Sequence, residues 1–325
     1  MINLLKTVFG AVATKDIVPV LNNFCLYKSL FDRKGRIQGG NGILCIDAAF
    51  EHPITECTVP ANKFIKALEA CSGTPAFDIT ETGRMSIKSG RFKAYLPTLP
   101  AADYPIAAQE GVLTKVTSSF LTLLRDLKPF ISEDASRIWS MSILLSTDGY
   151  AYATNNVILV RKKYELECEN EVVLPIDAVN RILDIGETPQ YCFISDSSIT
   201  LEYGPEMWMR SQLITERWPG VRQLFDGFKS DIPVPVDLKD TVGKIRHFCA
   251  NEKFPVIRLG TVVSTDGEVD GASMEGFDLP ESSFHADQLI KVLAVATHID
   301  FSTFPKPCFF KGLGGLEGMI VGIRT

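Results

Sequence analysis

Three basic residues stand at the same position of a repeated sequence. The repeat occurs in three segments: 59–68 (VPANKFIKAL), 174–183 (LPIDAVNRIL) and 284–293 (FHADQLIKVL). Each segment begins with an apolar residue and then Pro or His, has Asn or Asp two residues further on, and continues with apolar residues at helical spacing. The eighth residue is basic in all three: Lys66, Arg181 and Lys291. Cations at one fixed place on repeated helices suit a ligand with regularly spaced negative charge.

Other basic residues lie on predicted helices. The apolar periodicity predicts helices over 2–13, 60–71, 118–128, 175–185, 238–250 and 285–296. Besides the three repeated cations they carry Lys6, Lys63, Arg125, Lys128, Lys239, Lys244 and Arg246. On a single helix such residues would be an ordinary solvated face. The equivalent positions favour a row of cations for duplex DNA phosphates, which carry no sequence information.

The repeat also predicts the domain organisation. Pro60, Pro175 and His285 hold one position of the repeat, so its period is about 110 residues, which is the size of a domain. We therefore expect three domains over residues 1–112, 113–230 and 231–325. Predicted strands accompany each pair of helices, over 23–28, 42–49, 76–80, 85–89, 92–96, 141–146, 151–164, 191–194, 198–203, 207–214, 256–264, 268–272 and 318–324. This pattern predicts an α+β chain of tandem units whose sheets join edge to edge.

Composition describes a folded chain with ample core material. Of its 325 residues, 46% are hydrophobic and 22% charged. The net charge of −6 argues against a nucleic-acid partner for the chain as a whole. An acidic protein can still carry a basic stripe on one face, and the distribution of charge decides binding. No stretch approaches 18 consecutive apolar residues, and the first residues lack the pattern of a secretion signal. We expect a soluble cytoplasmic protein without membrane partners.

Enzymatic chemistry finds no support in the sequence. The chain has no G-x-S-x-G, no phosphate-binding G-x-x-x-x-G-K-[ST], no H-E-x-x-H and no G-x-G-x-x-G after a strand. The glycine-rich run 312–318 is followed by no helix and is predicted to be a turn between strands. The four histidines and eight cysteines lack metal-ligand or redox spacing. We predict no catalytic residue, no metal site and no cofactor.

Several longer stretches resemble one protein family. They are SGRFKAYLPTLPAADYP at 89–105, NEKF at 251–254 followed by VIRL at 256–259, VPANKF at 59–64 and RWP at 217–219. In these stretches the chain resembles, in order and over nearly its whole length, the bacterial and phage-type DNA polymerase sliding clamp, the polymerase's beta subunit. The resemblance implies a head-to-tail ring of two three-domain chains, with helices lining the hole and antiparallel sheets outside. Such a ring tethers the replicative polymerase to DNA as a processivity factor, without chemistry of its own.

The resemblance also implies three sets of site residues. DNA in the hole would meet Lys6, Lys63, Lys66, Arg125, Lys128, Arg181, Lys244, Arg246 and Lys291, with Lys15 on a loop. The ring would close where Ala94 and Leu96, on an exposed sheet edge, meet Phe248 and Cys249 of a second copy. Short hydrophobic peptides of the polymerase and clamp loader would enter a pocket formed by Thr154, Leu159, Pro219, Leu224, Phe254, Pro305, Pro307, Ile323 and Arg324.

Some residues depart from the family pattern. The chain starts almost on its first helix, so domain one is expected to lack its N-terminal strand. Residues 156–159 read NVIL where the family often has Gly-His-Arg-Leu, and the C-terminal GIRT lacks the common proline. These departures favour a phage or otherwise divergent clamp with a changed peptide motif. They also leave open a monomeric clamp-fold protein that sequesters partner peptides without encircling DNA, and an Ile323 that packs inward at a strand end.

Overall fold

The computed structural model describes residues 1–13, 18–29, 33–52, 56–165, 170–251, 253–266 and 271–324. Two compact units make up the chain. Unit 1 comprises Met1–Leu121 and Asp177–Leu213, and unit 2 comprises Thr122–Ile176 and Ile214–Thr325. Lys15 and part of the predicted strand 268–272 lie outside the described residues.

All six predicted helices are present. In the described residues they are α1 (Ile2–Phe9), α2 (Ala61–Glu69), α3 (Phe120–Leu127), α4 (Ile176–Ile185), α5 (Leu238–Ile245) and α6 (Ala286–Leu293). Each is shorter than its prediction by a residue or more. In α2 the buried Ala61, Phe64, Ile65 and Leu68 follow one stripe, which leaves the polar residues of the helix in solvent.

The described strands alternate with these helices along the chain. The first twelve are β1 (Asn23–Lys28), β2 (Gly35–Gly40), β3 (Leu44–Ala49), β4 (Cys57–Pro60), β5 (Ala76–Ile79), β6 (Arg84–Ser89), β7 (Phe92–Pro97), β8 (Leu99–Pro100), β9 (Val112–Lys115), β10 (Ser142–Leu145), β11 (Tyr150–Thr154) and β12 (Ile158–Lys163). The others are β13 (Val172–Pro175), β14 (Tyr191–Ile194), β15 (Ser198–Glu202), β16 (Met207–Gln212), β17 (Val256–Leu259), β18 (Val262–Thr265), β19 (Ser273–Glu275), β20 (Ser282–His285), β21 (Ala296–Ile299), β22 (Cys308–Gly312) and β23 (Glu317–Ile320).

Unit 1 contains a nine-stranded antiparallel sheet and a three-stranded one. The strand orders are β8-β4-β1-β2-β3-β16-β15-β14-β9 and β5-β6-β7. The pairing of β3 with β16, in which Cys45 lies opposite Arg210, is called the first seam. It joins strands of the first predicted domain to strands of the second. Helices α1 and α2 share an aromatic core, in which Phe24 lies between Phe9 and Phe64 at centroid distances of 6.4 and 6.2 Å.

A loop segment crosses the first seam and is held there by hydrogen bonds. Residues 104–110, called the strap, run from β2 to β15. The Gln38 side chain donates to Ala107 O at 3.0 Å and accepts from Ala107 N at 2.8 Å. Arg210 donates to Ala108 O at 3.1 Å and to Glu110, which also accepts from Ser198 Oγ at 2.7 Å. The strap is therefore held by side chains from both sides of the seam.

Unit 2 contains a seven-stranded and a four-stranded antiparallel sheet. Their orders are β13-β10-β11-β12-β23-β22-β21 and β19-β18-β17-β20. The pairing of β12 with β23, in which Ile158 lies opposite Ile320, is called the second seam. It joins strands of the second predicted domain to strands of the third. Both seams are therefore edge-to-edge junctions of the kind that the repeat predicts.

Several predicted strands have different bounds in the structure. The predicted strand 151–164 is two strands, β11 and β12, because residues 155–157 form a turn between them. The predicted strand 256–264 is likewise split into β17 and β18. Strands β2, β4, β8, β9, β13, β19, β20, β21 and β22 were not predicted. The glycine-rich run 312–318 does connect two strands, β22 and β23, as predicted.

Candidate DNA and partner sites

The basic residues of unit 1 divide into exposed and engaged cations. On α2, Lys63 and Lys66 are exposed and form no ion pair among the described residues. Lys6 on α1 is exposed, with its Nζ 2.7 Å from Glu69 Oε1 at the end of α2. Such an exposed pair contributes little to stability and can open to a stronger anion. Unit 1 therefore presents at least two unpaired cations on one helix face.

Arg181 on α4 differs from its repeat equivalents. Its guanidinium packs on the backbone at Gly10, so close that a Cβ there would lie 2.0 Å from Arg181 Nη1. The side chain is 24% exposed, and Nη1 lies 3.5 Å from Asp184 Oδ2. Gly10 follows the last turn of α1, where a cation is favoured by the helix dipole. Arg181 is thus partly engaged within the chain, and its DNA contact stays a prediction.

The basic residues of unit 2 also divide into exposed and engaged cations. Arg125 and Lys128, three residues apart at the end of α3, are exposed, as are Lys244 on α5 and Lys291 on α6. None of these four forms an ion pair among the residues that the structure describes. Arg246 is different, because it donates to both carboxylate oxygens of Asp287, at 2.6 and 3.0 Å. These hydrogen bonds, more than the Arg246 charge, lower the pKa of Asp287. Arg246 therefore ties α5 to α6 and is less available to DNA than the other four.

The proposed ring interface needs one correction. Leu96 was expected to be exposed on the sheet edge, but it is only 5% exposed. β7 is indeed an edge strand, paired only with β6 in its sheet. Successive side chains of a strand face opposite sides, so Leu96 packs inward with Ala94 and Tyr95 faces solvent. Tyr95 is 42% exposed, with Arg84 and Lys93 near its ring at 5.4 and 4.8 Å.

The domain-three side of the interface fits the expectation in part. Phe248 is 56% exposed at the end of the short helix that follows α5. Cys249 is buried, with its Sγ donating to Val256 O at 3.5 Å, and burial raises the pKa of its thiol. An exposed Phe248 beside a buried Cys249 leaves Phe248 as the side chain that could meet a second copy.

The partner site is organised by the turn between β11 and β12. Thr154 and Leu159 are buried, and Thr154 Oγ1 donates to Ile158 O at 2.7 Å. Asn156 has φ +71, a conformation that only Gly adopts freely and that Asn tolerates better than most residues. This positive φ explains why Asn can occupy the position at which the resembled family often has Gly.

Residues 321–324, called the C-terminal segment, run from this turn to the four-stranded sheet. Val321 N donates to Val157 O at 2.9 Å, and Ile323 N donates to Ser283 O at 2.7 Å. β23 ends at Ile320, so Ile323 lies beyond the strand and is half-buried, while Arg324 is exposed. Phe304 packs on the segment, since a Cβ on Gly322 would lie 2.5 Å from its ring. The exposed Pro305 and Pro307 lie one and three residues after Phe304.

The remaining predicted pocket residues flank this segment. Phe254 is 51% exposed and meets the His285 ring edge-on at 5.0 Å. Partial burial lowers the pKa of His285. Pro219 is exposed and Leu224 is 52% exposed, on a segment whose Trp218 and Phe225 are buried in one cluster with Leu159. The structure thus connects the predicted residues through shared neighbours and leaves several large apolar side chains in solvent.

Sequence reasoning missed polar residues that connect the site. Asn155 Oδ1 accepts from Ile158 N at 2.8 Å, and Asn155 Nδ2 donates to Gln288 Oε1 on α6 at 2.6 Å. The pair Asn155-Asn156 is itself a turn signal that could have divided the predicted strand. Gln288 carried no signal, because its contact is made across 133 residues of chain.

Neither a metal site nor a membrane-spanning helix is found among the described residues. No group of three or more His, Cys, Asp or Glu side chains there is close enough to hold a metal ion. Nor is any helix among them long and apolar enough to cross a membrane.

Comparison with known proteins relates the chain to bacterial clamps. No family model matches the sequence. The beta sliding clamp of Salmonella typhimurium (strain LT2) is 25% identical over 274 residues, which cover 78% of this chain and 74% of that protein. The beta sliding clamp of Escherichia coli (strain K12) is 24% identical over the same extent.

Solved structures agree with these sequence matches. The DNA polymerase sliding clamp of Bacillus subtilis superposes with a TM-score of 0.83 at 16% identity, covering 100% of this chain and 97% of that one. The beta subunit of the Streptococcus pyogenes DNA polymerase gives 0.82 at 17% identity with the same coverage. The resemblance and the predicted α+β fold class are thereby confirmed: the chain has the fold of the bacterial beta sliding clamp and is related to it in sequence.

Proposed function

We propose that this protein is a DNA sliding clamp, a processivity factor that encircles duplex DNA without reading its sequence. Two chains form a head-to-tail ring, and each chain contributes three domains, over residues 1–112, 113–230 and 231–325. The ring tethers the replicative polymerase, and the clamp loader that opens it, through short hydrophobic peptides. It acts in the cytoplasm of a bacterium or of a phage-infected cell. Tethering supplies a high effective concentration of polymerase at the primer end.

One observation carries the proposal. Lys66 and Lys291, equivalent in the repeat, are both exposed and form no ion pair among the described residues, on helices whose other faces are buried. Exposed lysines bind phosphates loosely and release counterions, which gives affinity without a fixed register. Loose contacts suit a protein that must slide, because base-specific contacts would hold it at one sequence.

Charge reversal tests DNA encirclement. Lys66→Glu combined with Lys291→Glu should weaken retention on a loaded nicked circular plasmid. It should also lower the slope of log retention against log salt by about 0.9 for each lost phosphate contact. Lys115→Glu with Lys229→Glu is the matched control, since it reverses one exposed lysine in each unit outside the helices. Equal retention of the helix variant and the control would contradict the proposal.

The molar mass separates the ring from a monomeric peptide-binding protein. A ring of two chains has twice the 35.9 kDa mass of one chain. Phe248→Glu should yield monomers by light scattering at low micromolar concentration, because it places a charge in an apolar contact. Leu313→Glu is the control, at another apolar residue that is 66% exposed. A wild-type chain that stays monomeric would favour the alternative function.

A further inference from the structure

A second apolar cleft lies in unit 2, apart from the partner pocket. It has a volume of about 400 Å³, within the range of ligand pockets. Its lining residues come from the chain before α5, the chain before β20, and the end of β21: Ile232, Pro233, Pro235, Asp278, Leu279, Pro280, Ile299 and Phe301. Seven of these eight side chains are apolar, and none is among the predicted pocket residues.

The backbone fixes one wall of this cleft. Ile299 N donates to Ile232 O at 2.8 Å, and Val234 N donates to Thr297 O at 3.0 Å. Segment 232–234 is thereby held on β21, where Pro233 forms a bridge with His298. Two prolines in this wall have fixed φ and little conformational entropy to lose. The cleft is therefore preformed, and a ligand would not have to order it first.

The charge of the cleft indicates which apolar ligands it would bind. Asp278 is its one charged lining residue and is exposed. The nearby Asp231 is already paired with Lys311, Nζ to Oδ1 at 2.6 Å. An apolar cleft with one carboxylate at its rim suits an extended apolar segment that carries a Lys or Arg. An acidic segment would meet repulsion there.

A row of aromatic rings joins the cleft to the partner pocket. Phe301 in the cleft wall packs on Phe284 at 5.6 Å, and Phe284 packs on Phe304 at 6.2 Å. Phe304 in turn covers Gly322 of the C-terminal segment. Phe284 and Phe301 are buried, so these rings connect the two sites through the core of unit 2. Both sites therefore belong to one body, unit 2.

We propose that this cleft is an accessory docking site for a second stretch of a partner protein, an extended apolar segment with a basic residue. The inference rests on the proposed function, in which the C-terminal segment binds partner peptides. Engagement of both sites by one partner raises the effective concentration of the second stretch and slows release. Each site alone then binds weakly, which lets partners exchange.

A peptide titration tests the cleft directly. The probe is fluorescein-labelled Val-Leu-Arg-Leu-Val amide, with Val-Leu-Glu-Leu-Val amide as its charge control, titrated with the full chain by anisotropy. The Arg probe should bind, and the Glu probe should bind at least about tenfold more weakly, which corresponds to about 1.4 kcal/mol. Equal binding of the two probes, or no binding of the Arg probe, would overturn the inference.

Matched variants locate the binding. Ile232→Glu should weaken the Arg probe by about tenfold or more, because it places a second charge on the apolar wall. Val236→Glu should leave binding unchanged, since Val236 is on the same segment and 96% exposed but does not line the cleft. Asp278→Asn should abolish the preference for Arg over Glu. Equal losses in the Ile232 and Val236 variants would place the peptide elsewhere.

A truncated chain distinguishes failure of this inference from failure of the proposed function. A chain lacking residues 322–325 should still bind the Arg probe, because the cleft is lined by other residues. Loss of binding in this chain alone would assign the probe to the partner pocket and overturn the cleft. The DNA and molar-mass experiments do not depend on the cleft, so they judge the clamp function separately.

Discussion

The first and second seams are equivalent junctions of the repeat, yet different structures cover them. The first seam is crossed by the strap, and beside it Asp47 is fully buried. Asp47 accepts hydrogen bonds from Tyr27, Arg36 and Gln38. The second seam is crossed by an ion pair, Arg161 with Glu317, and this pair is partly exposed.

The second seam also ends in the C-terminal segment. The exposed Leu224 belongs to the same part of unit 2, and Val321 on the segment is 45% exposed. The strap covers the first seam, whereas apolar side chains near the second seam stay in solvent. The proposed function assigns that exposed surface to a partner. Changes at the first seam should therefore affect stability, and changes at the second should affect binding.

The largest expected effect is that of Asp47→Ala. Removing this carboxylate leaves Arg36, whose side chain is 13% exposed, without its buried partner, which typically costs about 3–5 kcal/mol. Glu317→Ala at the second seam should cost only about 1 kcal/mol, because Arg161 keeps its contacts with Tyr150 and Phe225 at 4.3 and 4.2 Å. Denaturant unfolding of the two variants measures the difference. Equal costs would remove the contrast between the seams.

The next effect is on binding at the second seam. Deletion of residues 322–325 removes the Ile323 to Ser283 hydrogen bond and keeps that of Val321 with Val157. Polymerase binding should fall by about a hundredfold, or about 2.7 kcal/mol. The molar mass and the unfolding midpoint should stay near those of the full chain. Undiminished polymerase binding by the truncated chain would exclude this segment from the proposed partner site.

Several features of the fold and of the candidate sites could be predicted from the sequence. The helices, the repeat and the exposed Lys66 and Lys291 follow from local periodicity, which a sequence displays directly. The inward position of Leu96 also follows from strand alternation, once β7 is taken as half-buried. The motif resemblance predicts that residues around the C-terminal segment bind a partner, and that assignment stays a prediction.

The strap was beyond sequence reasoning for a physical reason. Gln38 and Ala107 are 69 residues apart, and their paired hydrogen bonds depend on a fold that brings the strap over β2. Gln38, Asp47 and Arg210 look like ordinary polar residues of half-exposed strands in the sequence. Whether such a residue is buried depends on the segment that covers it. Here that segment is the strap, which is distant in the chain.

A smaller effect is expected from Gln38→Leu at the first seam. The change removes both hydrogen bonds to Ala107 and leaves that backbone without its partners, at a cost of about 1–3 kcal/mol. Hydrogen exchange should show the Ala107 amide losing protection, while amides of the second seam such as Val321 keep theirs. Gln212→Leu is the control, since its side chain donates to Gly42 O and touches no strap backbone in the described contacts. Retained protection at Ala107 would mean that the strap is held by other contacts.

The smallest effect concerns pH in unit 2. Hydrogen bonds from Arg246 hold the pKa of Asp287 below its ordinary value, so the folded chain favours the ionised carboxylate. This stabilisation is present above the ordinary pKa and is lost as the pH falls through the lowered one. Asp287 is 40% exposed, so solvent screening limits the effect to a few tenths of a kcal/mol, up to about 1 kcal/mol.

Unfolding between pH 2 and 5, followed for wild type and Asp287→Asn, should show a shallower acid slope in the variant. Asp240→Asn, at an exposed carboxylate on α5, is the control. An identical acid slope in wild type and the Asp287 variant would show that the Arg246 pair does not stabilise the helices.

The contact between Gly10 and Arg181 constrains how such chains can diverge. Any side chain at residue 10 would occupy the place of the guanidinium, because a Cβ there lies within 2.6 Å of three of its atoms. A side chain at residue 10 therefore requires the guanidinium, at the far end of a flexible side chain, to move away, and its contact with the end of α1 is then lost. We expect relatives that keep this contact to keep glycine at residue 10. A lineage that retains glycine at 10 retains the freedom to keep arginine at 181.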